Sequence, residues 1–526
     1  MAGERQLVSR MGHPLGMKGA ASATNVPAGA VFFMRNLRSG DRGILKTRPG
    51  TALVAPFLGN GRTHLMTSAF DTLVEVWDDD IYKLAAGAWA PLRENWVTVD
   101  MAERFDRIRW TDAGDEVLYL FTGHGLWRTI ATGCAEVVPT EPAGGTPSNL
   151  LRADDGSQSL DSVIAKSTVA TMKHGLQLRA ACAYGNRVYL SAPSDPKYWP
   201  NNQEIVLPED GSRVVALAVW YDVLVIFRDT DVWAFIGTDV TDVSAKLVRQ
   251  ATIGCVSRDT VVDVPGWGLT YLGPDNVYTL EGLQAISDRV RAVPVGSDIQ
   301  PQLKQALSES TLQDVCAAFH DGEYRLSVPD YTGADKVFVM QVMSDAVSWG
   351  MDTGPASAYL TVLNGQLHSG LAEGGAVVRH DDSILTDCGA PVSIEVYFGQ
   401  EKLPTTAKIT RMFLVLQGQE TQQNLRVSMV VDGRELSVAA FTVSGQFGAD
   451  MAIGSGVLGT GRLGRVAELR AYEGRVSLKG QYIQVSISGG TGLEKIAIAG
   501  YVLEVRPKSK MRGQRQGVTK VWPLNL

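Results

Sequence analysis

A hairpin is written into residues 221–237, and it recurs along the chain. Tyr221-Asp222-Val223-Leu224-Val225-Ile226-Phe227 is a short apolar run rich in β-branched residues. Arg228-Asp229-Thr230-Asp231 is a polar turn, and Val232-Trp233-Ala234-Phe235-Ile236 is a second apolar run stopped by Gly237. Two such runs read as paired strands covered on both faces. The pattern returns at 70–82, 114–127 and 267–278, each time with an aliphatic–aromatic pair just after the turn. Forty-five residues separate Tyr82 from Trp127, and the same number separates Trp233 from Tyr278. A period of about 40–50 residues with several short strands per unit marks β-propeller blades.

Seven such units fit between Arg62 and Asp381. They centre on 73–84, 117–129, 187–199, Trp233, Tyr278, 324–349 and 360–378, the last built on an Asn364-Gly365 turn. Six blades fit as well if one unit is a connecting hairpin. The expected fold is therefore all-β: a six- or seven-bladed β-propeller over 61–382, followed by a β-sandwich-like domain. Residues 1–60 read as an extended N-terminal arm leading into a first strand, turning at Arg48-Pro49-Gly50. Two insertions interrupt the repeat. One is the Pro-, Gly- and Ser-rich stretch Glu141–Asp155 with a short helix expected at Leu160–Met172; the other is a helix expected at Asp298–Leu307 with Ser297 as its cap. From 390 to 505 the strands alternate without the blade signature, which gives the sandwich-like domain, with Gly445–Gly464 as an exposed loop. Residues 506–526 are a basic and polar tail without periodicity, expected to order on a partner.

The chain has 526 residues, 20% of them charged, and a formal net charge of −7, which gives no electrostatic case for gripping nucleic acid. No run of about 18 apolar residues offers a membrane span. The first residues lack the apolar core of a signal peptide, so export by the secretory route is not expected. The five cysteines lie far apart with no C-x-x-C and read as free thiols.

Candidate chemistry is thin. Gly454-Ser455-Gly456-Val457-Leu458-Gly459 matches G-x-G-x-x-G, but Thr460-Gly461-Arg462-Leu463-Gly464 follows it, where a dinucleotide site needs a helix. The acidic clusters at 78–80, 154–155 and 381–382 sit at turns, where aspartate serves local hydrogen bonding. A glycosidase would need two of them paired over the axis. The seven histidines do not pair at metal-ligand spacing, and no nucleophile elbow or phosphate loop occurs. No catalytic, cofactor-binding or metal residue is assigned, no cofactor is expected, and the chain does not read as an enzyme. Tyr82, Trp127, Trp199, Trp233 and Tyr278, one per blade, fit inter-blade packing better than a sugar-binding ring. Arg506, Lys508, Lys510, Arg512 and Arg515 form one basic cluster, suited to an acidic partner surface.

Several stretches together resemble a known family. Asn36-Leu37-Arg38 followed by Gly43-Ile44-Leu45-Lys46-Thr47-Arg48-Pro49-Gly50 is similar to the opening of short-tailed phage tail proteins. So are Arg187-Val188-Tyr189-Leu190-Ser191 with Pro196-Lys197-Tyr198-Trp199, Asp222–Gly237 with Gly254-Cys255-Val256-Ser257, and Leu272–Tyr278. The family is the podovirus tail nozzle (tail tubular protein B), related to tail hub or stabilisation proteins, and the likeness covers roughly 16–380. It implies a structural virion protein. Six copies would form a ring below the portal and adaptor, lining and closing the DNA ejection channel. It implies contacts with adaptor and portal-proximal proteins and with tail fibres, and passage of viral DNA without sequence-specific binding. The location would be the virion tail, after assembly in the host cytoplasm. Arg38, Lys46, Arg48, Arg506, Lys508, Lys510, Arg512 and Arg515 are the candidate assembly contacts. The alternative is a carbohydrate-binding or glycan-cleaving β-propeller of a tail receptor-binding apparatus.

Overall fold

The computed structural model describes residues 6–40, 43–56, 58–59, 63–78, 80–93, 106–112, 114–121, 126–137, 168–174, 177–196, 199–200, 202–237, 239–281, 291–330, 335–343, 346–354, 357–371, 375–417, 423–443, 469–490 and 495–507. The architecture is all-β, with a β-propeller built from four-stranded antiparallel blades. Blades 1 to 5 are separate four-stranded sheets at 63–93, 106–137, 168–206, 214–251 and 262–294. Blade 7 (357–381) takes its fourth strand from the arm: Gly50–Ala55 pairs antiparallel with Val377–Asp381. These six are hydrogen-bonded sheets of their own. Blade 6 (316–354) is a seventh four-stranded unit, but its sheet continues into the C-terminal domain.

The hairpin that organises the sequence is the middle of blade 4. Val223–Arg228 pairs with Val232–Ile236, placing Ile226 opposite Trp233. Its polar turn is half packed: Arg228 and Asp231 are buried, while Asp229 and Thr230 are exposed. Arg228 is fully buried and forms a bidentate pair with Asp231 through Nε and Nη2, at 2.6 and 2.7 Å, while Asp210 accepts from Nη1 at 2.8 Å and from the shared Nη2 at 3.0 Å. Cys255 N donates to Arg228 O, and a Cβ on Gly254 would stand 2.3 Å from that oxygen. The Gly254-Cys255 stretch thus clips blade 4 to the start of blade 5. Phe227 meets Tyr271 of blade 5 edge-on at 5.1 Å, and Tyr271 stacks on Tyr278. Trp127, Trp199 and Tyr278 are buried, Tyr82 and Trp233 half-buried, and Arg93 of blade 1 covers the Trp127 ring of blade 2. Trp127, Trp233 and Tyr278 pack in clusters shared by two neighbouring blades, whereas Tyr82 meets Trp77 and Asp80 of its own blade.

The C-terminal domain is a sheet folded into two layers. The strand Leu469–Gly489 runs through both. Its first half pairs with Glu401–Gln417, which pairs in turn with Ala497–Pro507. Its second half lies between Ile394–Phe398 and Gln423–Val431, the latter in a hairpin with Arg434–Val443. Met412, Leu414, Tyr501 and Leu503 of one layer and Phe398, Val427 and Val485 of the other face a common core. That core extends through the arm (Met17, Met34) to Tyr324 and Trp349 of blade 6.

Three expectations need correction. The N-terminal arm is not a bare extended lead-in: Gln6–Met11 and Leu45–Thr47 pair with Ala497–Pro507, and Val31–Arg35 pairs with Ile394–Phe398. Few periodic apolar residues are needed in strands that add singly to an existing sheet. Residues 168–172, expected in a helix, belong to the strand Thr168–His174, where the β-branched Thr168, Val169 and Thr171 favour extended backbone. The second helix spans Gln300–Glu309 after a 3-10 turn at Ser297–Ile299, so Ile299, not Ser297, stands at its N-cap. The stretches 141–155 and 445–464 lie outside the described residues.

The arm's Gly50 explains itself by close approach. A Cβ there would sit 2.5 Å from Thr386 O and 2.8 Å from Ile384 O, both backbone atoms that cannot swing away. Gly50→Ala is expected to cost about 1–3 kcal/mol, seen as a lower midpoint in thermal or urea unfolding; an unchanged midpoint would mean the closing strand tolerates displacement.

Candidate functional site

Two places gather polar chemistry. The first is a buried junction where the arm, blades 6 and 7 and the C-terminal domain meet. Asn36, in the left-handed conformation (φ 58°), donates from Nδ2 to Ser393 O at 2.7 Å and to Thr353 Oγ1 at 3.1 Å. Its Oδ1 accepts from Arg48 Nε and from Thr353 N, both at 2.9 Å. Arg38 Nε donates to Glu323 Oε1 at 2.7 Å and its Nη1 to Asp352 Oδ1 at 2.7 Å. Arg48 holds Asp387 through both terminal nitrogens and donates to Thr353 O at 2.8 Å. Arg38, Arg48 and Asp352 are 6%, 4% and 5% exposed. Burial pushes the Asp352 carboxyl up, but the Arg38 charge and hydrogen bond, with Arg48 and Arg325 behind them, hold it below the usual carboxylate range.

His380 completes the junction from blade 7. Arg325 Nη1 stands 3.1 Å from its Nδ1 and Ser369 Oγ 2.6 Å from its Nε2. Because the guanidinium can only donate, Nδ1 accepts, and the proton sits on Nε2 facing Ser369. Burial and the neighbouring Arg325 keep the imidazole well below its ordinary pKa.

The second place is a cavity of about 250 Å³ on the propeller axis. Its wall comes from the innermost strands and the turns that enter them: Met66 of blade 1, Asp106 and Arg107 of blade 2, Leu217 of blade 4, Arg258 and Asp259 before blade 5, and Tyr359 of blade 7. Arg258 lies between two carboxylates, with Nη1 3.8 Å from Asp106 Oδ2 and Nε 3.6 Å from Asp259 Oδ2. A general acid needs surroundings that favour the protonated carboxyl. Among the described residues the carboxyl in that state is Glu75, which burial pushes up to about 8 against the lowering hydrogen bond from Thr63. Glu75 lies inside blade 1, outside the cavity wall.

The sequence's candidate contacts divide. Arg38 and Arg48 are buried and fully engaged within their own chain, so they are not assembly contacts; their motif reads as basic only because sequence does not show the facing carboxylates. Lys46 is half-buried on the strand Leu45–Thr47. Arg506 is exposed, but it ends the strand Ala497–Pro507 and is not part of a free tail. Lys508, Lys510, Arg512 and Arg515 lie outside the described residues. The sequence does not point to this cavity because neither Asp106 nor Asp259 belongs to an acidic run; only the blade register brings both, with Arg107 and Arg258, to one wall. Among the described residues no group of three or more His, Cys, Asp or Glu could hold a metal ion, and no helix is long and apolar enough to cross a membrane.

No family model matches the chain, and no curated protein matches it. Solved structures do. The extracellular domain of a hybrid two-component system from B. thetaiotaomicron is 10% identical with a TM-score of 0.40, covering 74% of this chain and 48% of that one, so the chain spans about half that protein's length. The β-propeller domain of Cps50 (Swd1) from Myceliophteria thermophila is 13% identical with a TM-score of 0.38, covering 64% and 99%. An exo-β-1,3-galactanase from Phanerochaete chrysosporium is 9% identical with a TM-score of 0.25, covering 76% and 95%. At these values the fold rests on the strand pairing described above.

Proposed function

We propose that this chain is a structural component of a short phage tail: a rigid propeller unit that assembles into a ring and works without catalysis. The observation that supports this reading is the fate of the residues carrying the family resemblance. Asn36, Arg38, Arg48 and Gly50 all go into the junction that ties arm, blades and C-terminal domain together. Buried charges paired in this way are costly to pull apart, which suits a wall that must keep its shape.

A second reading, a carbohydrate-binding or glycan-cleaving propeller, is favoured by the axial cavity, where Asp106 and Asp259 could accept from sugar hydroxyls while Arg107 and Arg258 donate. One set of measurements separates the two. Electron microscopy and mass measurement of the purified chain are expected to show a closed ring, with no release of sugars from host surface polysaccharide. A monomer at every concentration, together with polysaccharide binding or hydrolysis lost in Asp106→Asn or Asp259→Asn, would overturn the structural reading in favour of the second.

A further inference from the structure

The outer face of the C-terminal sheet carries a row of three cations that no carboxylate among the described residues pairs with. Lys479, Lys408 and Arg506 stand directly opposite one another on three neighbouring strands. All three are exposed, and among the described residues none has an ion pair. One step along the sheet, exposed Arg475 stands opposite Arg411, which is itself paired with Glu473 at 3.2 Å and lies 3.9 Å from Glu504, and a shallow cavity of about 340 Å³ opens between Lys408, Arg475 and Ser477. Like charges placed opposite one another destabilise a sheet. Neither turn chemistry nor packing calls for them on a solvent-facing row, where glutamate or threonine would serve.

An acidic counterpart exists on the same chain. The first hairpin turns of the blades fall together on one end of the propeller, because the innermost strands run alike round the axis. Asp71 of blade 1, Asp222 of blade 4 and Asp321 of blade 6 occupy those turns, and Asp115 opens the strand just after that of blade 2, all exposed and without an ion pair among the described residues. Asn364 fills the equivalent turn of blade 7 in the same left-handed conformation as Asp71, Asp222 and Asp321, so the geometry alone does not require a charge.

We propose that the cationic row of one copy docks on the acidic hairpin end of a second copy. The contact joins two different surfaces of the same chain, so it is head-to-tail, the kind that closes into rings when the rotation allows. This rests on the ring reading above and names the surfaces that make it. Charge complementarity sets register and speed of encounter, and screening by salt weakens it.

The test follows self-association by light scattering and native mass measurement. Association of the full chain should weaken by roughly tenfold or more in Lys408→Glu/Lys479→Glu, and also between about 0.05 and 0.5 M salt. Thermal melting confirms that the variant is folded. Mixing it with Asp71→Lys/Asp222→Lys, in which the opposite surface is reversed, should restore mixed assemblies. Rings that form equally well with the reversed row would overturn this contact and leave the ring reading standing. Absence of any association would overturn both. Tight, salt-dependent capture of duplex DNA by the row, without self-association, would assign the surface to a nucleic acid instead.

Discussion

Asp352→Ala is expected to be among the most destabilising single changes in the chain, costing about 3–5 kcal/mol. The carboxylate is buried between Arg38 and Arg48, and its removal leaves two guanidinium groups short of counter-charge in a place water does not reach. Arg38 keeps Glu323 and Arg48 keeps Asp387, so the loss should fall toward the lower end of that range. Urea unfolding read by tryptophan fluorescence would report it, and a midpoint within error of the parent would mean the junction is not a unit. The pH dependence has a definite sign. The folded carboxyl titrates below its unfolded value of about 3.9. Its contribution is therefore complete above that pH and is lost as pH falls through the folded pKa. Asp352→Asn should be less stable at neutral pH and should lose less stability than the parent on acidification.

The junction also shows which parts of the molecule sequence could disclose. Blade hairpins announce themselves because each strand is short, apolar on successive residues and closed by a turn with its own chemistry. Asp222, Asp321 and Asn364-Gly365 sit where left-handed backbone is required. Long-range pairing has no such local signature. Nothing within residues 6–47 says that they add to strands hundreds of positions later, so the arm reads as free when it is in fact stitched to its own C-terminal domain. The same blindness turned Arg38 and Arg48 into surface contacts. A cation in sequence is an exposed cation by default, and only the register that brings up Asp352 and Asp387 reverses it. The strand Leu469–Gly489 failed in a different way. Its two halves face different neighbours, so its buried positions shift from Val476 and Gly480 to Ile483, Val485 and Ile487, and no single alternation marks it as one strand.

Glu75 provides the second large effect, and its sign is opposite to that of Asp352. The side chain is fully buried in the second strand of blade 1, with Oε1 accepting from Thr63 Oγ1 at 2.5 Å and Oε2 without a hydrogen-bond partner. It backs onto Gly375 of blade 7, where a Cβ would stand 3.3 Å from Oε1, so it sits at the seam where the propeller closes. Burial raises the folded carboxyl to about 8. The unfolded chain gives up that proton near pH 4.3, so the folded state binds more protons across the interval between. Stability attributable to this group is complete below the unfolded value and is lost as pH rises through the folded one, by roughly 5 kcal/mol at pH 9. Glu75→Gln removes the titration but buries an amide whose N–H groups lack acceptors, at about 1–3 kcal/mol. The two stability curves should therefore cross: the parent more stable at pH 5, the variant more stable at pH 9. Thermal melts of both across pH 5–9 would show it, and parallel curves would mean the carboxyl is not held neutral in the closed ring of blades.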